Sequence, residues 1–587
     1  MRATATAVLA LYASHVAAFL APQMSAVQKA PVTAPAQTPS GTKLTSTPVT
    51  TSNDFLSADA LERARSGNKW EKVKLNRAGD LAFQDVQEWA AAVRSGELTW
   101  EQLDVDDADI RLKWAGLFHR RKRHPGTFMM RMKMPNGIVT SDQLRFCADA
   151  VAKYDPSVGV IDITTRQALQ LRGVTLEDAD RVIEGARAHG LCSYLSGADN
   201  TRNIVGSPIA GIDPQEIIDT RALCTAINHM IVGRDGASPA FANLPRKFNI
   251  AVSGSRDDFA HTHINDLGLV PVADASGRIG FNIVVGGFFS AKRADISIPL
   301  GLWVPADAAV ALCRAVLELY RDGGARKDRQ KNRLMYLVEQ RGVEAFRDAI
   351  AAALAAAGVP SADVRREIPE PSTPFARRSV LGVHAQAQPG LSWVGVHVPV
   401  GRLTPETTRL LADFADAYSG GEARLTVEQD VIFPNVKDAD LEAMRVHPLF
   451  GALPLEAGAL SAGTVACTGA TYCGFGLMVT KERAVDVNAK LEARLHLPRP
   501  VRIHWTGCPN SCGQAQIGDI ALMGSVAKVD GKTVEGCDIF LGGTIGEHAK
   551  LAEKVLTRIP TADDHLLPVL EGLLIEHFGA TLKAQAA

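Results

Sequence analysis

The chain has 587 residues, 46% of them hydrophobic and 22% charged, with a formal net charge of −1. A chain this long outgrows a single core and should divide into several domains. Near-neutrality removes the global basic field that nucleic-acid binding needs, and no uninterrupted apolar run of membrane-spanning length follows the N-terminal region, so neither nucleic acid nor a membrane is expected as a partner.

The first 53 residues hold no Asp or Glu, and Asp54 is the first acid. Arg2 precedes a short apolar stretch, AVLALYASHVAAFLAP, and a tail of Ala, Pro, Thr and Ser follows. The first part reads as a secretory signal, too short for an anchor, and the acid-poor, hydroxyl-rich second part as a transit peptide. AAFLAP around Phe19 resembles the cleavage junction of proteins sent to plastids through a secretory step. A bipartite plastid-targeting segment over 1–53, leading to the stroma, is therefore expected. Plain secretion fits poorly with nine cysteines, an odd number, mostly set among apolar neighbours.

Residues 54–110, charged and mixed, read as an extension wrapping the body. FMMRMKM (128–134) alternates as a strand, with Met130, Met132 and Met134 on one face and Met129, Arg131 and Lys133 on the other. SDQLRFCADAVAKY follows as a helix with Ser141 as its N-cap. ITTRQALQLRG (163–173) places Arg166, Gln170 and Arg172 on one strand face. Residues 345–378, Ala-rich and then Pro- and charge-rich, form a helix and a linker.

Four blocks recur in order at nearly constant separation. FMMRMKMPNGIVTSDQ (128–143) matches SWVGVHVPVGRLTPET (392–407), and DITTRQ (162–167) matches RLTVEQ (424–429). NLPRKFN (243–249) is set against GCPNSCG (507–513), and FNIVVGG (281–287) against CDIFLGG (537–543). Arg202 and Asn203 fall on Ala466 and Cys467. Bases concentrate in the first copy: Arg131, Lys133, Arg166 and Arg172 face Gly395, His397, Glu428 and Pro434 of the second. Folded about a pseudo-twofold axis, one half would present anion-binding groups and the other metal ligands.

Those ligands are Cys467 and Cys473 in ACTGATYCG, a C-x5-C pair, and Cys508 and Cys512 in TGCPNSCGQ, a C-x3-C pair. Four thiolates on Gly-rich turns suit an iron–sulfur cluster. Spacing alone leaves a structural zinc site and disulfides open, although C-x5-C is wide for zinc.

These stretches resemble the cluster and haem-ligand motifs of the sirohaem-containing nitrite and sulfite reductases, over nearly the whole chain after residue 100. The resemblance implies an internally duplicated α+β fold of three α+β units around a central sirohaem and [4Fe–4S] cluster. Its divisions would be 54–110 as an extension, 111–185 and 376–445 as paired ferredoxin-like half-domains, 186–375 as the first repeat domain and 446–587 as the second. Carried over position by position, it makes Cys467, Cys473, Cys508 and Cys512 the cluster ligands, with Cys512 shared with the sirohaem iron. Arg131, Arg202, Lys247 and Asn249 would line the substrate face, and Arg131, Lys133, Arg166, Arg172, Arg202 and Lys247 would meet the carboxylates of the macrocycle.

Sulfite-reducing members typically carry a second Lys where this chain has Asn249, Gly at Ser511 and Arg at Gln514. Sulfite, a dianion, gains from the extra cation. All three positions here indicate six-electron reduction of nitrite to ammonia, with sulfite as the alternative. No G-x-G-x-x-G follows a strand, so NADPH is not expected to donate directly, and a reduced ferredoxin is the expected donor. The run RKDRQKNR (326–333) and Arg377–Arg378 are candidates for its docking patch. A monomer is expected.

Overall fold

The computed structural model describes residues 50–369 and 377–583. Nearly all of the expected targeting segment and the middle of the linker lie outside the described residues. Among the described residues no helix is long and apolar enough to cross a membrane.

The extension forms α1 (Ala58–Arg65), α2 (Lys69–Asn76) and α3 (Ala82–Ser95). Ser57 and Asn68 start the first two, their side-chain oxygens accepting from Ala60 N and Trp70 N. The first half-domain follows as β1 (Leu117–His119), β2 (Thr127–Arg131), β3 (Ile138–Thr140), α4 (Ser141–Ala152), β4 (Ile161–Ile163), β5 (Leu169–Thr175) and α5 (Leu176–Ala188). Next come α6 (Arg221–Val232), β6 (Ile250–Val252), β7 (Leu267–Ala273), β8 (Ile279–Val285), β9 (Ile298–Pro305), α7 (Ala309–Gly323) and α8 (Val343–Ala356).

The pattern then repeats. β10 (Gly382–Ala385), β11 (Leu391–Val396), β12 (Arg402–Leu403), α9 (Pro405–Tyr418), β13 (Glu422–Leu425) and β14 (Val431–Lys437) form the second half-domain. The last unit holds β15 (Thr464–Ala466), α10 (Lys481–Arg494), β16 (Ile503–Thr506), β17 (Ile520–Val529), β18 (Lys532–Leu541), β19 (Glu553–Pro560) and α11 (Asp563–Phe578).

The half-domain sheets run β1-β2-β5-β4-β12 and β10-β11-β14-β13-β3. Each copy thus lends its short third strand to the other's sheet: Arg402 pairs with Asp162, and Val139 with Ala423. The crossover is made by Pro135–Gly137 and Pro399–Gly401, where Asn136 and Val400 both take left-handed backbone, at φ 60° and 49°. Asn136 is held there by its own amide, which donates to Ser207 O at 2.8 Å and accepts from Thr220 Oγ1 at 2.6 Å. Two further sheets, β9-β8-β7-β6 and β15-β16-β17-β18-β19, share a parallel step that matches between copies, β6 with β7 and β16 with β17. Ile250 pairs with Leu267 as Ile503 pairs with Ile520.

Met130, Met132 and Met134 are buried in one apolar core as their alternation requires, although β2 ends at Arg131. Three local expectations change. The α4 cap is Thr140, in a capping box with Gln143, because Ser141 already has its place in the helix. ITTRQALQLRG is a hairpin rather than one strand: it turns at Thr164–Gln167, where Gln167 has φ 50°, so Arg166 rides on the turn and only Gln170 and Arg172 share a face. The third block of the repeat slips. The Ile250/Ile503 register aligns NLPRKFN with HLPRPVR (496–502), Leu-Pro-Arg on Leu-Pro-Arg, and SGSRDDF (253–259) with TGCPNSC (506–512). Left-handed residues agree in pairs, Asp258 with Ser511 and His261 with Gln514. Lys247 and Asn249 therefore correspond to Pro500 and Arg502, and the counterparts of Cys508 and Cys512 are Ser255 and Phe259. Likewise Val205 pairs with Ala251 as Val465 pairs with His504, which moves Cys467 from Asn203 to Ser207. Turn composition, which drove the sequence match, is similar on both sides of the strand; ladder register is what separates them.

Gly137 sits at φ +72° with the carbonyl of Leu425 2.4 Å from where a Cβ would be. Gly137→Ala is expected to destabilise the chain by about 2 kcal/mol or more. Gly572→Ala in α11, where a Cβ meets nothing within 4 Å, is neutral or slightly stabilising. Calorimetric midpoints of the two variants check this; a Gly137→Ala midpoint equal to the parent's would remove the crossover as a source of stability.

Candidate active site

Two parallel neighbours, β15 and β16, end at the cysteine turns, Cys467 directly after one and Cys508 two residues after the other. The end of β15 is clamped by Gln429: Ala466 N donates to its Oε1 at 2.8 Å, and its Nε2 donates to Ala466 O and Ile163 O at 3.1 and 2.9 Å. Gln167 makes the same two-way bond with Gly206 in the first copy. Cys467 Sγ accepts from Gly507 N at 3.1 Å and Gly469 N at 3.4 Å, and Cys508 Sγ from Asn510 Nδ2 at 3.6 Å. Gly469 is needed twice over, for its φ of +59° and because a Cβ there would lie 2.4 Å from Thr480 Oγ1.

All nine cysteines are free in the structure. The four motif thiols lie close enough to feel one another: burial first, then the charges of Cys512, Cys467 and Cys473, push the Cys508 thiol up to about 12. Among the described residues no three His, Cys, Asp or Glu side chains converge tightly enough to hold a single metal ion. Four thiols whose charges act on one another, with N–H groups aimed at two of the sulfurs, suit an iron–sulfur cluster.

Opposite them stand the first copy's bases. Thr165, on the hairpin turn, donates to Cys512 O at 3.3 Å, tying the two halves at the last cysteine. Burial pushes Arg131 down to about 10 and Lys247 down to about 7, with Arg333 also lowering Lys247; the charge of Cys512 acts the other way on both. Arg131 is half-buried, donating to Ser196 O at 3.3 Å over the ring of Phe118. Arg202 donates to Ser196 O and Ala198 O at 3.0 and 2.8 Å. Among the described residues neither guanidinium forms an ion pair with a carboxylate. Lys133 is buried, and its Nζ has no hydrogen-bond partner among the described residues. Burial pushes it down to about 7, and Arg202 and Arg166 press the same way. Asn249 Oδ1 is likewise buried without a partner, while its N–H donates to Asp266 at 2.8 Å. Cations held by neutral carbonyls, beside a buried ammonium lacking an acceptor, fit an anionic macrocycle and a small anionic substrate.

Two predicted cofactor bases have further work. Arg166 fastens the hairpin turn through Asn265 Oδ1, Asn203 O and Ile250 O at 2.6, 2.7 and 3.0 Å, leaving its buried Nε without a partner. Arg172 belongs to the cluster side. It bonds Asp162 at 2.5 Å, as Arg402 does, and the two guanidinium groups flank the ring of Tyr472, next to Cys473, at 4.8 and 5.0 Å. Lys481 completes this buried group 3.3 Å from Asp162.

Sequence reasoning missed His504, which anchors the Cys512 turn through Nδ1 to Gly513 O and Gln514 O at 2.9 and 3.0 Å; burial and Arg502 push its imidazole down to about 4. It also missed Arg120, pushed down to about 9 by burial and by Arg172, with the charge of Cys473 opposing. The basic run RRKRH (120–124) was the available signal. The candidates for docking fare differently: Arg326 is buried against Glu71, Arg329 and Arg333 pair with Asp199 and Asp266, and Arg377 and Arg378 with Glu428 and Asp213. These arginines are structural.

Two family models match the chain: the nitrite and sulphite reductase 4Fe-4S domain at 197–356 and 457–579, and the nitrite/sulfite reductase ferredoxin-like half domain at 120–189 and 384–446. A protein named ferredoxin–nitrite reductase from Synechococcus elongatus is 47% identical over 528 residues, 90% of this chain and all of that one. The chloroplastic ferredoxin–nitrite reductase of Zea mays is 46% identical, covering 88% of this chain and 91% of its own. Among solved structures, the NirA protein of Mycobacterium tuberculosis superposes with a TM-score of 0.76 at 25% identity, over 87% of this chain and 94% of that one. Duplicated sheets, a four-thiol centre in one half and unpaired bases in the other agree with these matches: the chain belongs to the nitrite and sulphite reductase family, whose members hold sirohaem and a [4Fe–4S] cluster.

Proposed function

We propose that this chain reduces nitrite to ammonium with electrons from reduced ferredoxin. The observation that carries the reading is the set of Arg131 and Lys247, both within reach of the charge of Cys512, with Arg202 sharing the Ser196 carbonyl with Arg131. The curated relatives bearing the name ferredoxin–nitrite reductase support it. Sirohaem and the cluster, when bound, supply the electron relay and the iron that activates the substrate. The chain's share is to bind, orient and protonate. Arg131 and Arg202, aimed by carbonyls, pair with the two nitrite oxygens. Lys247, whose charged form burial and Arg333 disfavour, is suited to give its proton to an oxygen as an N–O bond breaks. Cys467, Cys473, Cys508 and Cys512 would hold the cluster, and Lys133 and Arg166 would meet the carboxylates of the macrocycle. Asn249 in place of a cation keeps the site matched to a monoanion.

Ferredoxin docks, in this reading, on the outer side of the cluster turn. The RRKRH hairpin lies on that turn: Arg123 donates to Gly476 O at 3.3 Å, and His124 reaches Thr471 O at 3.1 Å with its ring 5.0 Å from that of Tyr472. Phe475, 72% exposed, stands beside it. Beyond Leu477 and Pro509 opens a groove of about 1010 Å³ carrying Lys292, Lys528, Lys554 and Arg558. An acidic iron–sulfur protein seated across both would be steered by charge and brought next to Cys473. The acid-free first 53 residues, with the chloroplastic relatives, support a plastid location, and the protein is taken to act as a monomer.

Anaerobically purified holoenzyme with reduced ferredoxin should form ammonium from nitrite, with little turnover of sulfite in a parallel tube; preferential sulfite turnover would overturn the substrate assignment. Lys247→Met should raise the nitrite KM roughly tenfold or more, the cost of one charge-assisted hydrogen bond, as steady-state kinetics would show. The charge reversals Lys122→Glu and Lys528→Glu, both at exposed positions, should raise the ferredoxin KM and flatten its salt dependence, while a small viologen donor still drives nitrite reduction.

A further inference from the structure

The anion-binding cations do not position themselves. Arg131 and Arg202 both lean on Ser196 O, and Arg202 also on Ala198 O. The next residues of the same loop reach the segment of Lys247: Leu244 N donates to Asp199 O at 3.2 Å, Phe248 N to Asn200 O at 3.0 Å, and Arg202 N returns to Phe248 O at 2.8 Å. One loop, 195–200, sets all three.

That loop is pinned by Asp199, which is fully buried. Arg329 grips it with two bonds of 2.7 and 2.8 Å, and Arg246 stands 3.7 Å away. The remaining partner comes from the N-terminal extension: Lys74 of α2, 3.4 Å from Asp199, which also donates to Leu244 O at 3.0 Å and Glu71 at 2.6 Å. Glu71 in turn takes Arg326 at 2.8 Å, and the α2 cap, Asn68, donates to Arg326 O through both its backbone and its side chain. Glu71, Lys74 and Arg326 are 0–1% exposed. Each such ion costs several kcal/mol to desolvate, so a chain of them is a poor way to gain stability and a good way to define geometry. Burial opposes the charge on Asp199, yet Arg329, Lys74 and Arg246 hold its carboxyl well below the usual carboxylate range.

We infer that α2 is a brace of the nitrite site, with Lys74 and Glu71 as positioning residues that hold Asp199 and, through it, the carbonyls that aim Arg131 and Arg202. This rests on the reading of those cations and Lys247 as nitrite binders. The test uses holoenzyme carrying Lys74→Met or Glu71→Gln, with Lys72→Ala on the exposed face of α2 as control. Nitrite Kd is read from the sirohaem absorption change, carbon monoxide affinity of the reduced haem serves as a neutral ligand, and melting temperature reports folding. Both brace variants should raise nitrite Kd and KM about tenfold, leave carbon monoxide affinity unchanged and hold kcat within about twofold; the control should match the parent. A folded Lys74→Met enzyme with parental nitrite Kd would overturn the brace, as would parallel loss of carbon monoxide binding, which marks general disruption. Should Lys74→Met not fold, Glu71→Gln decides on the same criteria. Arg202→Ala and Lys247→Met separate the two claims: if they weaken nitrite and the brace variants do not, only the brace falls; if they do not, its premise falls with it.

Discussion

The exchange of β3 and β12 between the two half-domain sheets is the constraint on which the rest of the molecule depends. A strand paired in the partner's sheet cannot slip without exposing its own apolar face and orphaning the ladder it joins. The two copies are thereby locked about one axis. The hairpin turn of the first copy meets the cysteine turn of the second, with Thr165 bonded to Cys512. Symmetry of backbone and asymmetry of side chain then yield a single centre: at the matching turns one half offers Cys467, Cys508 and Cys512 and the other Ser207, Ser255 and Phe259.

Electrostatics divides the interior into two kinds of cation. Those with carboxylate partners, such as Arg172 and Arg402 on Asp162, Arg333 on Asp266 and Arg326 on Glu71, are neutralised inside the chain and fix its geometry. Arg131 and Arg202 rest on carbonyls, and Lys133 Nζ meets no hydrogen-bond partner among the described residues; these groups are not neutralised by carboxylates there. A low-dielectric pocket with surplus positive charge selects anions by charge and is stabilised when they bind. The same sorting explains why basic runs misled: RKDRQKNR is rich in bases, yet its arginines face inward.

How much was legible in the sequence follows from the range of each interaction. Cysteine spacing, the methionine alternation and the duplicated Pro-x-Gly turns are local and carried the family resemblance, which in turn implied the duplicated α+β fold. Ladder register is set by distant pairing, so Cys508 was matched with Pro245's neighbours when its counterpart is Ser255. Arg166 and Gln170 share a parity that a strand would exploit, but the left-handed Gln167 between them breaks it into a hairpin. His504 and the Glu71–Lys74–Asp199 chain carry no motif at all: His504 acquires its meaning when the Cys512 turn folds back on β16, nine residues away, and Lys74 when it meets Asp199, 125 residues away.

The bases of the site lie in the first half of the chain and the thiols in its last quarter. A ribosome releases the N-terminal part first, at several residues per second. For much of synthesis, then, the nascent protein displays positive pocket walls with no sulfur to seat a cluster, and β4 has no β12 to complete its sheet. The set of four thiols is therefore complete only once the last quarter of the chain has been made, after the positive walls that face it.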